Sequence, residues 1–359
     1  MVQFRNYQQE QTNFEKGLNL ITGLNGMGKT NLLDAIYMLC IGKSFFSLTD
    51  SELILQTADF FRLEGVFQKG EKQERIVIKY LPGKRKEIER NGVAYKKMGD
   101  HVGLLPVVMI APDDTRIVKD GSEYRRKLID FTLSQVDHVY LTQLSLYQKL
   151  IEQRNALLKK DQYTQASRLE LLAAIDQQIF EPAQMIYQKR VTFFEEYLPY
   201  FKNYYQAISE LPEEADFSYD SELEQSSLRE IFEKNRHIDL HSGRTAGGIH
   251  RDDLHLTIAG LPLRKYGSQG QIKSFVLALK LAQYEYLKKY KNDTPVLLLD
   301  DIFDKLDEKR VLHILGIIKN RILGQVMVTD THEGRLAGLA DTINLSYTSY
   351  KVANGHINP

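Results

Sequence analysis

The sequence predicts an α/β protein whose core is split by a mainly helical second domain. Glycine placement is the first observation behind this. There are 23 glycines, yet none lies between Gly121 and Gly243. A long stretch without glycine and with few prolines reads as helical, because these two residues cost most in a helix interior. The second observation is that 1–120 and 243–359 hold short apolar runs bounded by turn residues, which read as strands with a few helices. That order implies one α/β core, 1–120 with 243–359, interrupted by an insertion at 121–242.

Each element has its own signal. Leu18-Asn19-Leu20-Ile21-Thr22 reads as a buried strand, and Leu32, Leu33, Ile36, Leu39 and Cys40 as one apolar helix face after it. Asn91-Gly92, between two extended runs, predicts a type I′ hairpin over Ile88–Tyr95. Apolar spacing predicts helices over Val136–Lys160 and Leu169–Ser209, with Pro182, Pro199 and Pro212 marking kinks or ends. Tyr197, Tyr200, Phe201, Tyr204 and Tyr205 recur at helical spacing and read as core, although such rings can also stack on bases. Sustained heptads are absent, which argues against a long coiled-coil arm.

Composition excludes several classes. The chain has 359 residues, 47 Lys+Arg against 47 Asp+Glu, and 43% hydrophobic residues, too apolar for disorder. No run of 18 apolar residues suggests a membrane span, and the start is too polar for a signal peptide. One cysteine (Cys40) rules out an internal disulfide and a cysteine zinc cage, so a reducing, cytoplasmic setting is expected. Two charge excursions stand against the neutral total. Lys69–Lys97 carries ten Lys/Arg and four Glu, while Glu210–Glu233 carries nine acids and one Arg. Lys84, Arg85 and Lys86 in the basic stretch are candidate contacts for nucleic-acid phosphates; the plainer reading is a solvated hairpin.

The sharpest motif is Gly23-Leu24-Asn25-Gly26-Met27-Gly28-Lys29-Thr30, which fits G-x-x-x-x-G-K-[ST] between a strand and a helix. Its glycines let backbone N–H groups face phosphate oxygens, and the helix N-terminus adds partial positive charge. Lys29 would neutralise the β- and γ-phosphates of ATP, and the Thr30 hydroxyl would hold Mg²⁺. Pro295-Val296-Leu297-Leu298-Leu299-Asp300-Asp301 reads as a buried parallel strand ending in two acids. Asp300 would hold Mg²⁺ opposite Thr30, and Asp301 would orient or deprotonate the attacking water. Between these motifs, Ser268-Gln269-Gly270-Gln271 opens a helix. It is either a second anion site or a plain N-cap.

Further segments narrow the reading: Phe4-Arg5-Asn6-Tyr7; Gly28–Tyr37 and Gly42–Phe45; Arg125–Asp130; Tyr147–Leu158; His250-Arg251-Asp252-Asp253-Leu254; and Lys351–Ile357. Together with the motif order they resemble, over nearly the whole length, the ABC-type ATPases of the chromosome-maintenance (SMC) branch. Within that branch the chain is similar to the RecF family. The resemblance implies an ABC-type P-loop ATPase head. It carries nucleotide contacts over Gly23–Asn31, including Asn31. Ser268, Gly270 and Gln271 become the signature that meets the γ-phosphate bound by a second subunit, and Asp307 belongs to the D-loop Asp304-Lys305-Leu306-Asp307. Two ATP molecules would be buried in a head-to-tail homodimer formed on ATP binding.

The resemblance also implies DNA as a partner, duplex and gapped or at a single-strand/double-strand junction, with RecO and RecR as protein partners in loading RecA. It implies a weak, DNA-stimulated ATPase that resets the dimer, located in the cytoplasm at the nucleoid. The chain departs from the family pattern in places. Asp304 replaces the usual Ser, and Asp301 stands where many relatives have Glu, whose longer reach should favour hydrolysis. Asp330 stands where some relatives have a switch histidine, with His332 two residues on, and Ile249 replaces a proline. Asp113-Asp114 is a candidate link between ATP and the helical arm. An SMC-like DNA linker would need the missing heptads. A transporter subunit would not need the Arg125–Asp130 and Tyr147–Leu158 motifs.

Overall fold

The structure, a computed structural model, describes residues 1–159, 165–209, 213–303, 308–320 and 324–358. The chain divides into two compact units: Met1–Asp114 with Asn203–Pro212 and Lys273–Pro359, and Thr115–Lys202 with Glu213–Ile272.

The first segment holds β1 (Val2–Phe4), β2 (Tyr7–Gln9), β3 (Leu18–Thr22), α1 (Lys29–Ile41), β4 (Phe61–Lys69), β5 (Lys72–Tyr80), β6 (Glu87–Arg90), β7 (Val93–Ala94) and β8 (Val107–Ile110). The middle holds α2 (Arg116–Lys119), α3 (Ser122–Val136), α4 (His138–Leu158), α5 (Gln165–Ile208), β9 (Ala215–Asp220), α6 (Leu228–Ser242), β10 (Asp253–Ile258), β11 (Leu261–Pro262), α7 (Leu263–Tyr266) and α8 (Gln269–Lys291). The last segment holds β12 (Val296–Leu299), α9 (Glu308–Asn320), β13 (Val326–Asp330), α10 (Arg335–Thr342), β14 (Tyr347–Ala353) and β15 (His356–Asn358).

The first unit is built on two six-stranded sheets. One has the order β15-β14-β3-β13-β12-β8, and its five strands from β14 to β8 pair in parallel. β8 and β12 are unbroken apolar runs, and β13 opens with Val326-Met327-Val328, because both faces of a parallel sheet are covered. The register pairs Leu299 with Val328, and Val328 with Leu20, so β3 and β12 end at the same edge with β13 between them. Ligands of open α/β sheets bind at such carboxyl edges.

The other sheet is antiparallel, β2-β1-β4-β5-β6-β7. It contains the expected hairpin, with Asn91 at φ 51° and Gly92 at φ 83°. α1 differs from the one-sided helix expected: nearly all of it is buried, Asp34 included. Asp34 is satisfied by the Ser44 hydroxyl and the Phe45 amide, each at 2.8 Å.

The second unit combines helices with a three-stranded antiparallel sheet, β11-β10-β9. β9 lies inside the stretch expected to be helical. Its buried Ala215 and Phe217 alternate with more exposed neighbours, and it pairs with β10 along six residues. That ladder associates Asp253–Ile258 with the second unit. Residues 243–272 therefore fall there rather than in the core, and Asn203–Pro212 falls in the first unit.

α5 runs through Pro182 and Pro199, expected to mark kinks or ends, so neither proline ends the helix. Each proline removes one intrahelical donor. Ile179, Ala183, Ile186, Phe193, Phe194, Tyr197 and Phe201 are buried along the same helix, and this packing sustains it. Pro212 lies outside the described residues. The aromatic cluster is core: Phe193 and Tyr197 stack at 4.6 Å, Phe201 meets Phe217 at 5.2 Å, and Tyr204 and Tyr205 are buried. Among the described residues, no helix is long and apolar enough to cross a membrane.

Candidate nucleotide site

The phosphate loop connects β3 to α1. Gly23, Gly26 and Gly28 all have positive φ, and at two of them a side chain has no room. A Cβ on Gly23 would lie 2.3 Å from the Val352 carbonyl oxygen, and one on Gly28 would lie 2.6 Å from Asn6 Nδ2. Leu24, Asn25 and Gly26 form the exposed tip, while Lys29 is buried at the base. Lys29 Nζ donates to the carbonyl oxygens of Gly23 at 2.8 Å and Leu24 at 3.2 Å. A cation held among the loop's backbone groups suits a phosphate chain.

Thr30 stands one residue into α1. Its Oγ1 is 3.0 Å from both carboxylate oxygens of Asp300. Asp300 follows β12 and is buried. Burial pushes its carboxyl above the ordinary value. The Thr329 and Thr30 hydroxyls oppose that rise, Asp301 adds to it and Lys29 opposes it. A hydroxyl and a carboxylate converging at a phosphate loop are hard oxygen donors, and a buried carboxylate beside a second acid favours a divalent cation. The residues therefore fit Mg²⁺.

Asp301 follows at φ 44°, a left-handed conformation unusual for a side-chain-bearing residue. Its amide donates to Thr329 Oγ1 at 2.9 Å, and Thr329 Oγ1 donates to Asp300 Oδ1 at 2.9 Å. Sequence reasoning missed Thr329. Its signal was a hydroxyl directly after the apolar run Val326-Met327-Val328 of a parallel strand. Asp330 Oδ1 accepts the His332 amide at 3.0 Å, and the His332 side chain lies in an exposed loop segment. Asp114 accepts Lys280 Nζ at 2.8 Å and the Ala111 amide at 2.8 Å, while Asp113 is exposed. Cys40 is fully buried, and burial pushes its thiol up, as a core residue requires. Asp307, with the rest of 304–307, lies outside the described residues.

Ser268, Gly270 and Gln271 belong to the second unit. The Ser268 amide donates to Gln271 Oε1 at 2.6 Å, and the Gln271 amide donates to Ser268 Oγ at 3.2 Å. This is a reciprocal cap at the start of α8. Gln271 Nε2 also donates to Glu213 Oε1 and Oε2, at 2.9 and 2.8 Å.

Three sequence motifs of the second unit meet in a buried ionic network. Arg190 donates to Asp130 Oδ1, Asp252 Oδ2 and the Ile249 carbonyl, each at 2.8 Å. Arg125 grips both oxygens of Asp253. Arg154 joins Asp176 at 2.7 Å and Asp239 at 2.6 Å. Tyr147 OH lies 2.7 Å from His250 Nδ1, and His250 Nε2 lies 3.1 Å from the Thr245 carbonyl. Since the carbonyl can only accept, Nε2 carries the proton and Nδ1 accepts from Tyr147. The Arg125–Asp130, Tyr147–Leu158 and His250–Leu254 segments are therefore one packed constellation.

The candidate nucleic-acid contacts behave differently from one another. Lys86 Nζ is 2.6 Å from Asp50 Oδ1 and only partly exposed. Arg85 and Lys84 are exposed, with Arg85 Nη2 3.4 Å from the Lys96 carbonyl. Elsewhere in this basic stretch Lys79 pairs with Glu89, Arg75 with Glu64 and Arg90 with Glu74.

Comparison with known proteins agrees with this architecture. The family model described as the RecF/RecN/SMC N terminal domain matches residues 1–354. A protein named DNA replication and repair protein RecF from Flavobacterium johnsoniae is 40% identical over 351 residues, covering 98% of this chain and 97% of the relative. Its namesake from Parabacteroides distasonis is 39% identical over 359 residues, covering 100% and 97%. A solved structure of the recombination mediator protein RecF with ATP in the RecFOR pathway superposes with a TM-score of 0.88 at 29% identity, covering 99% of this chain and 95% of the other. An SMC head bound to the C-winged helix domain of ScpA shares the fold, with a TM-score of 0.57 at 17% identity and coverage of 99% and 94%. The head is thus of the ABC-type ATPase fold, and the chain belongs to the RecF family of the RecF/RecN/SMC N-terminal domain proteins.

Proposed function

We propose that this protein is an ATP-gated DNA-binding ATPase of DNA replication and recombinational repair. The observation that carries the nucleotide reading is the Thr30–Asp300 approach at 3.0 Å beside the phosphate loop. Lys29 and the loop amides bind the phosphate chain, and Thr30 and Asp300 hold Mg²⁺. Bound Mg²⁺ supplies positive charge to the phosphate oxygens. Asp301, held by Thr329 beside that pair, orients the attacking water. Its short side chain suits slow turnover, as expected of a switch.

The gating reading follows from family membership and from the Ser268–Gln271 helix start. Ser268, Gly270 and Gln271 of one subunit meet the nucleotide of another, so ATP adds contacts that exist only in the dimer. The dimer binds duplex DNA near single-strand junctions in the bacterial cytoplasm. It works with RecO and RecR in loading RecA, and DNA stimulates its ATPase. Affinity comes from phosphate contacts and is steeply salt-dependent.

Light scattering tests this reading. Solution mass is measured without nucleotide, with ADP and with ATP, on Asp301→Asn to slow hydrolysis. The expected result is a monomer that dimerises only with ATP, and fails to do so in Lys29→Ala and Ser268→Arg. A mass independent of nucleotide would remove the gating mechanism.

A further inference from the structure

The turn between β1 and β2 reaches the rear of the phosphate loop. Phe4 pairs with Tyr7 across this turn, and Arg5 within it has φ 54°. Left-handed backbone at a bulky residue costs of order 1 kcal/mol or more and persists only where surrounding contacts impose it. Here the contacts are visible. Arg5 Nε donates to Asn31 Oδ1 at 3.2 Å, and Asn31 Nδ2 donates to Asn6 Oδ1 at 2.8 Å. Asn6 Nδ2 donates to the Met27 carbonyl at 2.9 Å. Tyr7, fully buried, donates its hydroxyl to the Gly28 carbonyl at 2.9 Å.

These two carbonyls matter because of peptide geometry. In a planar trans peptide the C=O of one residue and the N–H of the next point in opposite directions. Met27 C=O shares its peptide with Gly28 N–H, and Gly28 C=O shares its peptide with Lys29 N–H. The Asn6 bond to the Met27 carbonyl, and the Tyr7 bond to a Gly28 carbonyl that also accepts the Leu32 amide at 2.9 Å, therefore hold both N–H groups pointing away from the turn. Gly28 and Lys29 stand at the N-cap and first position of α1, where N–H groups have no intrahelical acceptor. The close approach also explains the glycine: a Cβ at Gly28 would lie 2.6 Å from Asn6 Nδ2 and 2.9 Å from the Tyr7 hydroxyl.

We infer that Asn6 and Tyr7 are positioning residues for nucleotide binding, which fix the Gly28 and Lys29 amides as donors to the phosphate chain. They touch the loop from behind and are not catalytic. The inference rests on the phosphate loop binding ATP, as proposed above.

Steady-state ATPase assays on Tyr7→Phe and Asn6→Ala test it, with pyrophosphate as a competing ligand that carries no base. Each variant loses one hydrogen bond to the loop, so KM for ATP should rise about fivefold to twentyfold. The inhibition constant for pyrophosphate should rise by the same factor, and kcat should stay within about twofold. A residue that only stabilised the fold would lower the active fraction, and hence apparent kcat, without moving KM. An unchanged KM in both folded variants, or a pyrophosphate constant that does not follow it, overturns the inference. Equilibrium ATP binding by the unmodified protein separates the two readings. If it binds ATP and the variants bind equally well, only the positioning role fails. If it binds none, the nucleotide reading fails with it.

Discussion

Thr329 donates its hydroxyl to Asp300 Oδ1 at 2.9 Å and accepts the Asp301 amide at the same distance, so one buried side chain holds the Asp300 carboxylate and the Asp301 backbone. Thr329→Val keeps the shape and removes both bonds. Supporting groups of this kind typically contribute tenfold to a hundredfold to activity. We expect kcat for ATP to fall by roughly that factor, with KM within about twofold, read as phosphate release. Equal loss in Thr329→Val and Thr329→Ser would show that the hydroxyl is not the cause.

Arg190 is fully buried among Asp130, Asp252 and Tyr140. Arg190→Met fills similar space but leaves the buried Asp252 and the half-buried Asp130 without their cation. Breaking a buried ion pair on one side costs about 3–5 kcal/mol. Urea denaturation of the full chain should show a loss of that size. Adding Asp252→Asn should recover part of it, because one stranded charge is removed.

His250 couples the same region to pH. Burial lowers its pKa to about 4, and the cationic Arg251, Arg126 and Arg154 push the same way, against its bond to the Thr245 carbonyl. Between about 6.5 and 4 the unfolded chain binds a proton that the folded chain refuses. Stability from this group is therefore complete above about pH 6.5 and is lost as pH falls toward 4. By pH 5 the loss should be about 2 kcal/mol. His250→Gln should show a shallower fall between pH 7 and pH 5 in parallel urea titrations. An unchanged slope would place the acid sensitivity elsewhere.

Lys84 and Arg85 are exposed, whereas Lys86 is engaged by Asp50. Each phosphate contact adds about 0.9 to the slope of log affinity against log salt. Lys84→Ala with Arg85→Ala should lower the slope for duplex DNA by about two, while Lys86→Ala should hardly change it. An unaltered slope in the double variant would show that this hairpin does not touch DNA.

Local structure was legible in the sequence. The loop Gly23–Gly28 between a strand and a helix, the strands Leu18–Thr22 and Val296–Leu299, the Asn91-Gly92 turn and the core character of Tyr197 and Phe201 each follow from short-range spacing, turn preference or apolar periodicity. Those signals are written in consecutive residues and survive without knowledge of neighbours. Contacts between residues far apart in the chain are another matter. Only the sheet order places β13 between β3 and β12, and so brings Thr329 to Asp300. Only the β9–β10 ladder associates 253–258 with the second unit, and only packing carries α5 through Pro182 and Pro199. The charge of Lys86 looked available in the sequence, and folding paired it with Asp50, 36 residues away. Sequence determined which groups could do chemistry here. Tertiary structure decided which groups meet and which are neutralised, because strand pairing and side-chain burial depend on residues that no local window contains.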